Sequence, residues 1–143
     1  APLPLSGDGR HCRDWLSVYD HAAGIQHVCE QGEPGTVYNV GGGNERENIT
    51  VAEQIVATLG KSRSLIRFVQ DRPGHDRRYS IDCRRLRALG WSPQVSFEEG
   101  LKQTVEWYRT HESWWRTIKS GEFKDYYQQQ YAKRLQQGTA CGL

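Results

Sequence analysis

Three arginines, two aspartates and a histidine stand in the stretch FVQDRPGHDRRY, residues 68 to 79, around a single Pro-Gly pair. Guanidinium groups bind phosphate oxygens through paired, charge-assisted hydrogen bonds, and a turn lets backbone be shaped around a ligand. Arg72 on this turn and Arg13 in the triplet RDW are therefore candidate partners for an anion such as a diphosphate. Each has a second reading. The charges of the turn can neutralise one another or face water, as most charge clusters do, with Asp76, Arg77 and Arg78 in local ion pairs that hold it. Arg13 can pair with its neighbour Asp14 over the Trp15 indole.

Other familiar chemistry is missing from the 143 residues. GDGRHC and GGGNER both depart from the dinucleotide-binding pattern G-x-G-x-x-G, and no P-loop, G-x-S-x-G or Tyr-x-x-x-Lys occurs. The four cysteines, Cys12, Cys29, Cys83 and Cys141, form no C-x-x-C pair and have no histidine at zinc-finger spacing. They read as free thiols in a reducing cytosol, and no metal is expected. His21 and His27 fall on a predicted helix and read as surface or interface groups. The aromatic tail ESWWRTIKSGEFKDYYQQQY invites a base-stacking reading, but packing of C-terminal helices onto the core explains it more simply.

These residues need elements to position them. Residues 2–11, rich in Pro and Gly, predict a loop, and CRDWLSV, 12–18, a short strand. A helix follows over 19–32, with Asp20 as its cap, Ala22, Ile25 and Cys29 on one face, and Gly32 as its stop. TVYNV, 36–40, predicts a strand closed by three glycines. Thr50 and Glu53 form a capping box for a helix over 48–60 on which Val51, Ile55 and Leu59 share a face. SLIRFVQ, 64–70, predicts a further strand, and Asp82 and Gly90 bound a short helix. Ser96 and Glu99 form a second capping box, with Leu101, Val105 and Tyr108 facing one way behind it. From Trp114 to Leu135 the tendency is helical, and 136–143 reads as a disordered tail, leaving one domain over 1–135. Strands alternating with helices, ending in helices, give an α/β class.

Composition narrows the partners. Net charge is +2, so no global basic field points to nucleic acid. No segment approaches the ~20 apolar residues of a membrane span, and the first residues lack the basic and apolar regions of a signal peptide. The chain has no Met and opens on Ala, which reads as a fragment, a processed form or a cloned piece.

Four ordered blocks, GDGRHCRDWLSVYDHAAGI, YNVGGGNERENI, IRFVQDRPGHDRRYSID and LGWSPQVSFEEGLKQTVEWYRTHESWW, resemble the C-terminal portion of the dTDP-glucose 4,6-dehydratase family of extended short-chain dehydrogenases/reductases. The resemblance implies the C-terminal part of a Rossmann-type dehydratase, with short strands alternating with helices and the cofactor-binding half absent. It implies that residues 1–135 are a nucleotide-sugar substrate-binding domain, for dTDP-glucose or a similar sugar, in a cytoplasmic deoxysugar pathway. Arg13 and Asn48 match groups at the diphosphate. Asp71, Arg72, Pro73, Gly74 and His75 match a substrate-contacting turn. Pro4, Leu5 and Ser6 match a segment beside the base, where the family has Tyr in place of Ser6. NAD, the catalytic Tyr and Lys and the eliminating Asp/Glu pair belong to the other half, so this chain has no catalytic and no cofactor-binding residue and is expected to be inactive by itself. The strand over 36–40 would lack neighbours, which implies self-association or pairing with a cofactor-binding domain. The alternative is a non-catalytic nucleotide-sugar-binding or protein-interaction module.

Overall fold

Two small sheets, each of two strands among the described residues, carry the architecture. The computed structural model describes residues 2–119 and 121–136. Strand β1, Leu3–Ser6, runs parallel to β4, Ile66–Val69, in the register Leu3 to Ile66 through Ser6 to Val69. Strand β2, Cys12–Asp14, runs antiparallel to β3, Glu45–Glu47, with Arg13 opposite Arg46. β1 lies where the prolines and glycines predicted a loop. A strand paired on one side only tolerates proline, so Pro4 does not prevent pairing. β2 is shorter than predicted, and β3, the charged run Glu-Arg-Glu, has no strand signature in its composition.

Helix α2, Asn48–Thr58, covers the parallel pair. Its Ala52 and Val56 pack with Ile66 of β4, and Leu5 of β1 and Ile49 complete the cluster. Each large apolar side chain so buried contributes ~1.5–3 kcal/mol. The helix begins before Thr50, and the predicted capping box does not form. The backbone of the preceding loop does that work instead: the Asn48 and Ile49 N–H groups donate to the carbonyls of His11 and Gly9, each at 2.9 Å. Glu53 accepts from Arg63 at 2.6 Å, on the 3-10 turn Arg63–Leu65 that leads into β4.

Helix α1, Val18–Gln31, is capped by Ser17, whose hydroxyl accepts from the Tyr19 N–H. Asp20, the predicted cap, is buried and has another task. Its two carboxylate oxygens accept from the backbone N–H groups of Gln94 and Val95 at 3.0 and 2.9 Å, tying α1 to the loop ahead of α4. α1 approaches its neighbours through Gly24, where a Cβ would stand 2.7 Å from Val40 and 3.2 Å from the Trp91 ring. His27 bonds the Leu89 carbonyl at 2.9 Å, a structural contact, while His21 is exposed.

The predicted strand over 36–40 belongs to no strand of the structure, and Val37 is 74% exposed. β-branched residues supply the propensity, but a strand exists only when another chain segment pairs with it.

Helix α3, Arg84–Ala88, follows Asp82, whose side chain accepts from the Arg84 N–H at 2.9 Å. Helix α4, Phe97–Thr110, starts at Ser96, whose hydroxyl accepts from the Glu99 N–H as predicted. Leu86, Trp91, Phe97 and Val105 are buried here. The helical tail divides into α5, Glu112–Lys119, and α6, Glu122–Gln136. Its aromatic residues meet one another: Trp107 of α4 stacks on His111 and meets Trp114 edge-on. Cys12, Cys29 and Cys83 are free thiols, while Cys141 and the predicted tail from 137 onward lie outside the described residues.

Candidate functional site

Both sheets deliver their ends to one place. The chain leaving β1 lies beside the chain leaving β4, because the Gly7 N–H donates to the Val69 carbonyl at 2.9 Å. The turn over 71–79 then docks along β2. The Cys12 N–H donates to the Arg77 carbonyl at 2.8 Å, and the Tyr79 N–H donates to the Cys12 carbonyl at 3.1 Å. With the Asn48 N–H on the His11 carbonyl, these backbone bonds gather residues 6, 11–13, 48 and 71–79.

Asp71 is the hub. One carboxylate oxygen accepts from His75 Nδ1 at 2.7 Å and from the Arg72 N–H at 2.9 Å, and the other lies 3.1 Å from His11 Nε2. Burial works to raise the Asp71 carboxyl, but the bond from His75, the Arg72 N–H and the two imidazoles outweigh it and hold the carboxyl below its ordinary value. The imidazoles of His11 and His75 are stacked, with centroids 3.8 Å apart and planes 16° apart. Gly7 makes room for the cluster: its φ is +61°, and a Cβ there would stand 2.9 Å from the Asp71 carboxylate.

Arg13 closes the arrangement. Its Nη1 donates to the Cys12 carbonyl at 2.6 Å, and its Nη2 donates to His75 Nε2 and the Asp76 carbonyl, each at 3.0 Å. The guanidinium lies 4.1 Å from the centroid of the Tyr79 ring. Arginine only donates, so His75 Nε2 must accept, and the His75 proton sits on Nδ1, facing Asp71. Arg13 does not pair with Asp14, whose oxygens accept instead from the Gly43 and Asn44 N–H groups.

The two arginines that follow in the turn are tied to distant residues rather than to local ones, and Asp76 to a local one. Arg77 grips Asp8 through two bonds of 2.8 and 3.0 Å, and Arg78 holds Glu45, which also accepts from Ser80. Asp76 accepts from the Tyr79 hydroxyl at 2.7 Å. Arg72 differs from all of them. Its side chain is exposed, and among the described residues its guanidinium has no hydrogen bond or ion pair. Pro73 and Gly74 are exposed beside it. Pro4 and Ser6 are half-buried on β1, and the Leu5 side chain is used by the core cluster.

The donor atoms of His11, Asp71 and His75 lie within 4.8 Å of one another, a set of types that can bind a transition metal. Their orientation does not suit one. A ring nitrogen binds in the plane of its ring, and two stacked, nearly parallel rings share no in-plane point between them. A carboxylate with one oxygen for each ring fits that geometry, and it is what Asp71 provides.

The first 104 residues match the model of the family described as GDP-mannose 4,6 dehydratase. The chain belongs to that family. Its relatives are named more narrowly. It is 47% identical over 133 residues to a dTDP-glucose 4,6-dehydratase of Xanthomonas campestris, with 86% of this chain and 38% of that protein covered. It is 44% identical over 140 residues to dTDP-glucose 4,6-dehydratase 1 of Escherichia coli K12, with 92% and 39% covered. Among solved structures, the dTDP-glucose 4,6-dehydratase of Bacillus anthracis in complex with NAD superposes with a TM-score of 0.77 at 47% identity, over 82% of this chain and 37% of that one. The UDP-glucose 4-epimerase of Thermotoga maritima with UDP-glucose gives 0.70 at 30% identity, over 76% and 35%. The chain therefore has the α/β fold of Rossmann-type dehydratases and epimerases, and it spans about two fifths of the length of its curated relatives.

Within this dehydratase-family fold, sequence reasoning found Arg13, Asp71 and His75, and the structure joins them directly. It missed His11, which is 3% exposed. A buried histidine next to RDW carries no spacing signal, because its partners lie ~60 residues away and only the docking of the turn reveals them.

Proposed function

We propose that residues 1–135 form the nucleotide-sugar-binding portion of a dTDP-glucose 4,6-dehydratase, which converts dTDP-glucose to its 4-keto-6-deoxy product. Arg72, Arg13 and Asn48 take the diphosphate, the turn Asp71–His75 shapes its surroundings, and the β1 segment Pro4–Ser6 borders the base. The observation that carries this reading is the contrast between a braced turn and a free guanidinium. Arg77, Arg78 and Asp71 each hold the turn to a different part of the fold, while Arg72 on it is exposed and unpaired. An unpaired arginine on a fixed turn has its guanidinium available for an anion. Ser6 offers no ring to stack on thymine, so base selectivity at that position is weak.

NAD and the hydride-transfer and elimination groups are assigned to residues outside these 143, and the chain alone is inactive. The test has two arms. Calorimetry should detect binding of dTDP, weakened by Arg72→Ala. Incubation with NAD and dTDP-glucose should yield no 4-keto sugar. Equal dTDP binding by chain and variant removes Arg72 from the site, and turnover above blank refutes the inactivity.

A second role has support of its own. Val18 and Tyr19 at the start of α1 are 71% and 70% exposed, and Val37 is 74% exposed on a segment with no strand partner. Such a surface suits association, with a second copy or with a cofactor-binding domain.

A further inference from the structure

We propose that His11 is a positioning residue of this site, one that fixes the tautomer of His75 and through it the guanidinium of Arg13. The identity of the bound anion rests on the reading above, but the control of His75 rests on geometry alone. An imidazole has two neutral tautomers, and only the one with its proton on Nδ1 lets Nε2 accept from Arg13 at 3.0 Å. Asp71 selects that tautomer by accepting at 2.7 Å. It can do so only while that oxygen is held at His75 Nδ1.

His11 supplies the hold. Its Nε2–H engages the second carboxylate oxygen at 3.1 Å, and its ring covers the face of His75 at 3.8 Å. Gly7 leaves room for this contact, since a Cβ there would meet both the Asp71 carboxylate and the His11 ring. The arrangement has an internal cost. Committing the His11 proton to Nε2 leaves Nδ1 buried with no partner. A buried polar atom without a partner calls for a reason, and the bond to Asp71 is that reason. The order of action is His11, Asp71, His75, Arg13, with only the last meeting the ligand.

The experiment is histidine-selective 15N spectroscopy of the full chain at pH 8, joined to dTDP titration. The unmodified chain should show the His75 proton on Nδ1. His11→Leu fills the space without a hydrogen bond, so His75 should relax toward the Nε2–H form that a free histidine side chain prefers. Affinity for dTDP should then fall roughly tenfold, the scale of one lost hydrogen bond to a charged group. His11→Gln, whose amide can donate to Asp71, should keep both the Nδ1–H tautomer and most of the affinity. A His75 signal unchanged in a folded His11→Leu chain overturns the proposal. If that variant does not fold, His11→Gln decides: loss of the tautomer in a folded chain refutes the role of the hydrogen bond, and its retention supports it. A chain that binds no dTDP defeats the anion-site reading alone, and the tautomer still decides His11.

Discussion

Arg72 extends into solvent without a partner, whereas Arg13 is held by three hydrogen bonds and lies against the Tyr79 ring. The two should therefore separate in experiment. Arg72→Ala should weaken dTDP by about tenfold, as expected for a lost charge-assisted bond, and leave Tm unchanged. Arg13→Ala should lower both affinity and Tm, because the docked turn loses its anchor. Calorimetry with thermal melts distinguishes them. The carboxylates that brace the fold contribute to its acid sensitivity. Hydrogen bonds from Arg77, helped by the Arg10 N–H, hold Asp8 at about 2, and those from Arg78 and Ser80 hold Glu45 at about 2. Carboxylates lowered in the folded state stabilise it fully above their ordinary pKa of ~4. That contribution is lost as pH falls through their folded values. Asp8→Asn should melt below the unmodified chain at pH 5, and the gap should narrow steeply toward pH 2. A gap as wide at pH 2 as at pH 5 would show that the Asp8 charge is not its source.

At the scale of elements, the joint between α1 and the loop ahead of α4 rests on Asp20. Asp20→Ala leaves the Gln94 and Val95 N–H groups without their acceptor and should cost about 2–4 kcal/mol in urea unfolding, from an unmade hydrogen bond at each. A loss below about 0.5 kcal/mol, the range of an ordinary surface change, would mean that water replaces the carboxylate. Asp20 also marks the limit of sequence reading. A Ser or Asp near a predicted helix start is a cap candidate, and local pattern cannot tell which one caps. Ser96 was legible because the N–H it accepts from lies three residues on; Asp20 was misread as a cap, because what it holds lies 74 and 75 residues away. The same holds for strands. β4, with Ile66 and Val69 buried, declares itself in its β-branched and aromatic residues. β1 and β3 are made by pairing and have no such signature. The 36–40 run has the signature and no partner. Most of the site was legible for a related reason: residues inside a compact motif could be seen, while His11 depended on a contact formed only in three dimensions.

At the scale of the molecule, the apolar surface on α1 and around Val37 predicts association. Light scattering over a concentration series should show a mass that rises with concentration, and amides over 36–40 should exchange quickly in the dilute chain. A constant monomer mass with protected 36–40 amides would show that the chain satisfies that segment itself. The same division between a closed core and an open flank gives the protein an optical signature. It has five tryptophans, of which Trp91 is 7% exposed beside Gly24 and Trp114 is 57% exposed beyond the end of α4. A small neutral quencher in solution reaches the outer indole first, leaving a bluer emission from Trp91. A dye-free fluorometer can then follow the two ends of the fold as separate colours, and the order in which they change on heating reports which end opens first.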